Sequence, residues 1–353
     1  MSTSSPDAAS PDAAAGMDAV EPLTLLKLRL QAARELGCEV EELDTETGYL
    51  NEIRRGDVRR VLVGGLSPLN DAVASRLVGD KFHTLNVLRR RGFKTPDTTR
   101  CLKPGHFRNE YESMTGHGPA SAFAEANGYP VIVKPNSGSR GLDITCAGSE
   151  AEMRDAVDTV WKRDYLALVQ EAIAGFDLRI DFLDGEYLFG YTRHPVKIVG
   201  DGHTPLRGLL AATDSRFQGA SFESHLEDDP IWQTEARRRG LGLGTVLQAD
   251  QVLDFDTPIL NLNRLCFGRR LVELPELWTR FGLSIGEVFA LRHFGIDLKI
   301  TSLDQDPADA TVIEVNSSPS LAHMSRMGHF EAALDAERRI VAKILESTPQ
   351  SRS

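Results

Sequence analysis

Cysteine is scarce in this chain, four among 353 residues, at Cys38, Cys101, Cys146 and Cys266. They lie far apart and form no C-x-x-C pair. That pattern excludes a disulfide framework and a zinc site of ordinary spacing, and it suits a reducing, cytoplasmic setting. No apolar run reaches the roughly 18 residues that a membrane-spanning helix needs. The start has neither a basic region nor an apolar core of the kind a signal peptide carries, so none is expected. Positive charge is also in deficit: 40 Lys and Arg against 51 Asp and Glu leave a net charge of −11. This balance speaks against nonspecific binding to nucleic acid or an anionic membrane, while leaving room for a local basic groove. The nine histidines show no metal-ligand spacing; His194 and His203 merely flank Gly200-Asp201-Gly202.

What is present is a hydrophobic content of 41%, which with this length suits a globular protein of two or three domains. Ser-Pro-Asp-Ala-Ala occurs at 5–9 and again at 10–14. So small and polar a stretch cannot offset its ordering entropy, so a disordered tail is expected over 1–20, with a second tail at 347–353. Residues 21–79 read as a small α+β unit. There Leu26, Leu30 and Ala33 recur at helical spacing before Gly37, and segments 49–53 and 60–63 flank Gly56-Asp57 as a hairpin. Residues 80–346 read as one larger domain. Strands are expected at 129–134, 142–146, 166–170, 179–183, 187–191, 296–301 and 311–316. The hairpin signal at Asp184-Gly185 argues for antiparallel α+β over a doubly wound parallel sheet. Asp80-Lys81 opens a helix, and Ser149 with Glu152 forms a capping box ahead of the stripe Met153, Ala156, Val157, Val160 and Trp161. Ser284 and Glu287 repeat that spacing and predict a helix running to Phe294 and ended by Gly295. Residues 100–120 read as an irregular connection, 204–212 and 232–240 carry helical hints, and a last helix is expected over 326–345.

Four constellations could carry chemistry. The first is the last hairpin, with Asp297 on one strand and Glu314 and Asn316 on the other. A period of two puts Glu314 and Asn316 on one face, and a connection centred near 306 brings Asp297 almost opposite Glu314. Two carboxylates and an amide oxygen suit Mg²⁺, with Mn²⁺ as the alternative ion, above all beside phosphates; a solvated polar sheet face has the same pattern. The second is the loop Asn136-Ser137-Gly138-Ser139-Arg140-Gly141, which follows an apolar strand ending in Lys134. Glycine allows close approach of an anion, and free N–H groups cradle phosphate oxygens. It is no Walker A loop, because the lysine precedes the glycines, and a plain hairpin turn would look alike. The third is Lys81 in the first turn of its helix, unfavourable with the dipole and so either an anion contact or a surface lysine. The fourth is Gln170 to Arg179, where a strand leaves into a short loop and Asp177 and Arg179 then share a face; an ordinary surface ion pair would read the same way.

Together and in this order, from about Asp80 to Leu345, these pieces resemble the ATP-grasp superfamily. The matching stretches are GLSPLNDAVASRLVGDKFHTLNVLRRRGFKTP, YPVIVKPNSGSRGLDIT, LVQEAIAGFDLRIDFLDGEYL, HPVKIVGDGHTPLRGLL, and GIDLKIT followed by VIEVNSSPSL. They look most like the ligase module of cyanophycin synthetase and the ATP-grasp part of bifunctional glutathione synthetases. The resemblance implies an α+β fold in which two subdomains clasp ATP, a mobile nucleotide-covering one at 95–172 and a metal and substrate one at 173–346. It implies that Lys81 and Lys134 contact phosphates under a loop made of Ser137, Gly138, Ser139, Arg140 and Gly141. It places Glu171, Ala172 and Ile173 against adenine, Gln170 at its exocyclic amine, and Asp177 on the ribose. Asp297, Glu314 and Asn316 would hold one or two Mg²⁺, and Arg179 and Arg193 would stabilise charge developing on the reacting centre. Asn263, Arg264, Ser318 and Ser320 are the substrate candidates; Ser320 stands where such ligases often have glycine, and residues 214–280 fit the relatives poorly. The implied reaction joins a carboxylate to an amine through an acyl phosphate, with amino acids or short peptides as small-molecule partners and no nucleic acid or membrane. A homo-oligomer is compatible with the sequence. A small-molecule kinase and a non-catalytic nucleotide-binding regulator are the alternatives.

Overall fold

The computed structural model describes residues 25–347 except 106–108, 139–142, 214–216, 219–225, 227–229, 256–258 and 261–264. The stretches expected as disordered tails lie outside the described residues, apart from Ser347. The described residues form two compact units, one of residues 25–65 together with Ser320–Leu345 and the other of Leu66–Pro319 with Glu346 and Ser347.

In the first unit, helix α1 (Leu25–Glu35) precedes an antiparallel sheet of β1 (Glu39–Glu42), β2 (Leu50–Arg55) and β3 (Val58–Val63), in that order. The β2–β3 hairpin turns at Gly56-Asp57 as expected, with Arg55 paired to Val58; β1 is an addition that its charged sequence concealed. The C-terminal helix Phe330–Glu346 belongs to this unit through Leu345. It buries Leu334, Ile340, Val341 and Ile344, and with them Glu337. Arg29 Nε donates to Glu337 Oε2 at 2.9 Å with both side chains fully buried, and Arg60 Nε donates to the Ile344 carbonyl at 3.0 Å. A continuous unit over 21–79 and a continuous domain over 80–346 are therefore not how the chain divides. The polar partners of the last helix come from residues near the start of the sequence.

The second unit begins with α2 (Ala72–Val78) and α3 (Lys81–Arg90). It continues through β4 (Thr98–Leu102), α4 (Gly118–Asn127), β5 (Val131–Pro135), β6 (Thr145–Ala147), α5 (Glu150–Val160) and β7 (Leu166–Glu171). These strands form a four-stranded antiparallel sheet in the order β4-β7-β5-β6. The Met153, Ala156, Val157, Val160 stripe of α5 is buried with Val131, Val133 and Val169 of that sheet. Ser149 caps α5 by accepting from Glu152 N, while the Glu152 carboxylate reaches back to Gly148 N, one residue beyond the capping-box position.

A five-stranded antiparallel sheet follows, ordered β12-β9-β8-β13-β14. Its strands are β8 (Phe176–Leu183), β9 (Glu186–Pro195), β12 (Cys266–Arg270), β13 (His293–Ile300) and β14 (Thr311–Asn316). Asp184 and Gly185 both take positive φ, 49° and 82°, the geometry that suits a two-residue hairpin between right-twisted strands. Between β9 and β12 lie β10 (Lys197–Val199), α6 (Leu206–Thr213), α7 (Pro230–Arg239) and β11 (Val252–Asp254). The helix expected at Ser284–Phe294 is displaced. Helix α8 runs from Glu276 to Val288, Ser284 sits inside it with its Oγ donating to the Phe281 carbonyl, and His293 to Phe294 already belong to β13. All the strand pairs described are antiparallel, as the α+β reading required.

Candidate active site

Residues paired directly across antiparallel strands share a face. Asp297 pairs with both Arg179 and Glu314, Asp177 with both Arg193 and Lys299, and Gly295 with both Asp181 and Asn316. One face of the five-stranded sheet therefore carries five carboxylate or amide side chains around three cations. The alternate residues Leu178, Ile180, Phe182, Ile296 and Leu298 point to the opposite side and are buried in the core. The register puts Asp297 directly opposite Glu314, with a bulge just after Asp297.

A pocket is lined by Lys81, Lys134, Gln170, Glu171, Asp177, Arg193, Asp297, Lys299 and Glu314, with Ile132, Ile144, Ile173 and Ile313 among its apolar wall. Lys81 comes from the first turn of α3, where Asp80 caps the helix by accepting from His83 N. Asn136 meets the same turn from the glycine loop. Its carbonyl accepts from Lys81 N at 3.3 Å and its Oδ1 from Phe82 N at 2.9 Å. The Lys81 ammonium donates to the Gly138 carbonyl at 2.7 Å and lies 3.5 Å from Glu314 Oε1. Lys134 is 4% exposed, and its ammonium makes no hydrogen bond or ion pair among the described residues. Burial lowers its pKa to about 8, the neighbouring Lys81 adds to the fall, and Glu314 and Asp297 oppose it. A buried cation so under-compensated is a ready partner for an anion.

The three candidate metal ligands are brought together. Asp297 Oδ2 accepts from Arg179 Nη1 at 2.6 Å and from Asn316 Nδ2 at 3.0 Å. Its buried Oδ1 has no hydrogen-bond donor and lies 3.7 Å from Arg193 Nη1. Among the described residues no three His, Cys, Asp or Glu side chains cluster as a metal site; this trio has two carboxylates and completes itself with an amide. An unbonded carboxylate oxygen, a second carboxylate and an amide oxygen are hard donors and fit a magnesium-like ion.

The two arginines differ in placement. Arg193 lines the pocket, donates to Asp177 Oδ2 at 3.2 Å and to Tyr191 Oη at 2.9 Å, and is held well above its ordinary pKa against its burial by Tyr191, Asp297 and Asp177. Arg179 does not line it; its guanidinium is buried between Asp181 and Asp297. Burial raises the Asp181 carboxyl to about 6 against the pull of Arg179. Asp177 is engaged by Lys299 Nζ at 2.6 Å as well as by Arg193.

Several expected residues are hydrogen-bonded by neighbours, Gln170 and Glu171 among them although both line the pocket. Gln170 Nε2 donates to Thr98 Oγ1 at 2.8 Å, and Glu171 Oε1 accepts from Asp97 N at 3.0 Å. Ser137 is turned to Asp164, donating through both N and Oγ. Ala172 is absent from the pocket lining although Ile173 contributes to it. Ser318 Oγ accepts from Ser67 N at 2.9 Å, and Ser320 Oγ accepts from Ala322 N at 3.4 Å. Asn70 closes the same corner, its Nδ2 donating to the Ser317 carbonyl at 2.8 Å and its Oδ1 accepting from His293 N at 2.9 Å. Ser139, Arg140, Gly141, Asn263 and Arg264 lie outside the described residues. Sequence reasoning passed over Asp181 and Lys299; each stands two residues from one it singled out, Arg179 and Asp297, so strand period was the available signal.

The chain is similar to several known proteins. The family of D-ala D-ala ligase C-terminal domains matches residues 105–201. The chain is 27% identical over 300 residues to the glutathione biosynthesis bifunctional protein GshAB of Streptococcus mutans, covering 81% of this chain and 38% of that protein. It is 24% identical over 341 residues to the cyanophycin synthetase of Crocosphaera subtropica, covering 90% of this chain and 37% of the other. It thus spans about two fifths of the length of these relatives. The crystal structure of a bifunctional glutathione synthetase from Pasteurella multocida superposes with a TM-score of 0.52 at 20% identity, over 84% of this chain and 40% of that one, which shows a shared fold.

Proposed function

We propose that this ATP-grasp protein is an ATP-dependent carboxylate–amine ligase that forms an amide or peptide bond between amino acids or short peptides. In the reaction, a substrate carboxylate oxygen attacks the γ-phosphorus of ATP and ADP leaves; the amine of the second substrate then attacks the acyl carbon and phosphate leaves. The observation that carries the reading is the convergence of two buried lysines, Lys81 and Lys134, with the Asp297–Glu314 pair in one pocket. The lysines offset phosphate charge, while Ile132, Ile144 and Ile173 offer an apolar wall to the base. Asp297, Glu314 and Asn316 would hold Mg²⁺, which when bound neutralises phosphate charge and draws electron density toward the leaving oxygen. Arg193 faces the same space and adds a fixed cation where negative charge develops. The residues thus act chiefly by holding reactants and balancing charge, the usual division of labour in phosphoryl transfer.

The test is mass spectrometry of the protein incubated with Mg²⁺-ATP and pooled amino acids and dipeptides. A product equal in mass to two components less water, with ADP and phosphate released together, is expected. A component carrying a phosphate group would replace the ligase reading with a kinase. ATP turnover that yields no joined product from any pool would count against amino-acid and dipeptide substrates.

A further inference from the structure

Asp181 is a buried carboxylate on the polar sheet face that the proposed reaction does not use. It is 1% exposed, its Oδ1 lies 2.5 Å from Arg179 Nε, and its Oδ2 has no hydrogen-bond partner. Arg179 in turn donates through Nη1 to Asp297 Oδ2 at 2.6 Å. The three side chains form a line across β8 and β13 that ends on the carboxylate whose other oxygen, Oδ1, is left without a donor. Gly295 makes that line possible. A Cβ there would stand 2.2 Å from Asp181 Oδ1 and 2.4 Å from Arg179 Nη2, so the guanidinium lies across β13 only because residue 295 has no side chain.

The arrangement solves a charge problem. A buried guanidinium paired with Asp297 alone would draw the charge of that carboxylate toward itself. With Asp181 as its own counterion, Arg179 orients Asp297 through one oxygen and leaves the other available. Partners behind a metal ligand orient it and tune its affinity in this way. We propose that Asp181 is a positioning residue which, through Arg179, fixes Asp297 so that its Oδ1 is presented to a divalent cation. This rests on the assignment of Asp297, Glu314 and Asn316 as the metal ligands.

Mn²⁺ is the probe, its free concentration read by electron paramagnetic resonance in titrations of the full chain with ADP present. ADP affinity without metal and the melting temperature are measured alongside. D181N is expected to weaken Mn²⁺ binding about tenfold or more while metal-free ADP affinity stays within about twofold. G295A is expected to do the same by displacing the guanidinium from above β13. A purely structural ion pair would lower the melting temperature and leave Mn²⁺ affinity unaltered, and that result would overturn the proposal. Should D181N fail to fold, G295A decides by the same criterion. Absence of Mn²⁺ binding by the unsubstituted protein would overturn the metal assignment, and this proposal with it; binding that D181N and G295A leave untouched overturns the proposal alone.

Discussion

A lysine ammonium whose pKa burial lowers to about 8 affects binding and stability in opposite directions as pH rises. Between about 8 and the ordinary lysine value the unfolded chain binds more protons at Lys134 than the folded one, so the stability of the ligand-free protein gains from this group as pH rises through that window. Anion binding needs the charged form and weakens over the same range. Calorimetric titration with ADP from pH 7 to 9.5 should show affinity falling above about pH 8, by up to about tenfold per unit. Lys134→Met should remove that slope and weaken binding by about tenfold to a hundredfold. Glu314 gives the complementary test. Its side chain is a quarter exposed, so Glu314→Ala should leave the melting temperature within a few degrees while abolishing turnover. Full activity in that variant would remove Glu314 from the proposed metal ligands. Asp297 and Glu314 were legible from strand period and hairpin register, Lys81 from its place in the first turn of a helix and Lys134 from its place before the glycine loop. Asp181 and Lys299 lie on the same face by the same rule, but period alone does not say which acid or lysine on a face is consumed by a buried partner.

At the level of elements, the cap of α3 and the expected strands fall where turn chemistry and apolar periodicity put them, except that the strand expected at 142–146 is present only as Thr145–Ala147, after a turn with Asp143 at φ 58°. Helix α8 is the informative miss. Its interior contains Gly282, which depresses helix propensity, and Ser284 with Glu287, whose capping-box spacing favours a start at Ser284. Tertiary packing overrides that preference. A Cβ at Gly282 would meet the Phe182 ring at 2.2 Å and one at Gly286 the Phe294 ring at the same distance, and those two rings stack with centroids 5.0 Å apart. The glycines let the helix backbone approach the core face of the sheet directly behind β8 and β13, the strands that carry Arg179 and Asp297. Gly286→Val should therefore destabilise the protein by about 1–3 kcal/mol through overpacking, seen as a lower urea midpoint with an unchanged slope. Helix α4 escaped notice for a related reason: Gly118-Pro119 at its start reads as loop until the Ala-rich turns that follow are counted.

At the scale of the molecule, the compact unit built from two sequence-distant segments holds the buried Arg29–Glu337 pair, one residue from each segment. Glu337→Ala would leave a guanidinium buried without this partner, at a cost of about 3–5 kcal/mol, whereas replacing both residues with apolar side chains of similar volume should cost far less. Thermal melts of the single and double variants separate the two outcomes. The same discontinuity sets an order of events during synthesis. Residues 25–65 leave the ribosome roughly 15–55 s before the helix that supplies Glu337, at ordinary elongation rates. Throughout that interval Arg29 lacks its carboxylate and α1 stands unfinished, while Leu66–Pro319 emerges with strands that pair only among themselves. The segment Leu66–Pro319, which bears the pocket, is thus made in full before the unit that contains residues 25–65 can be completed.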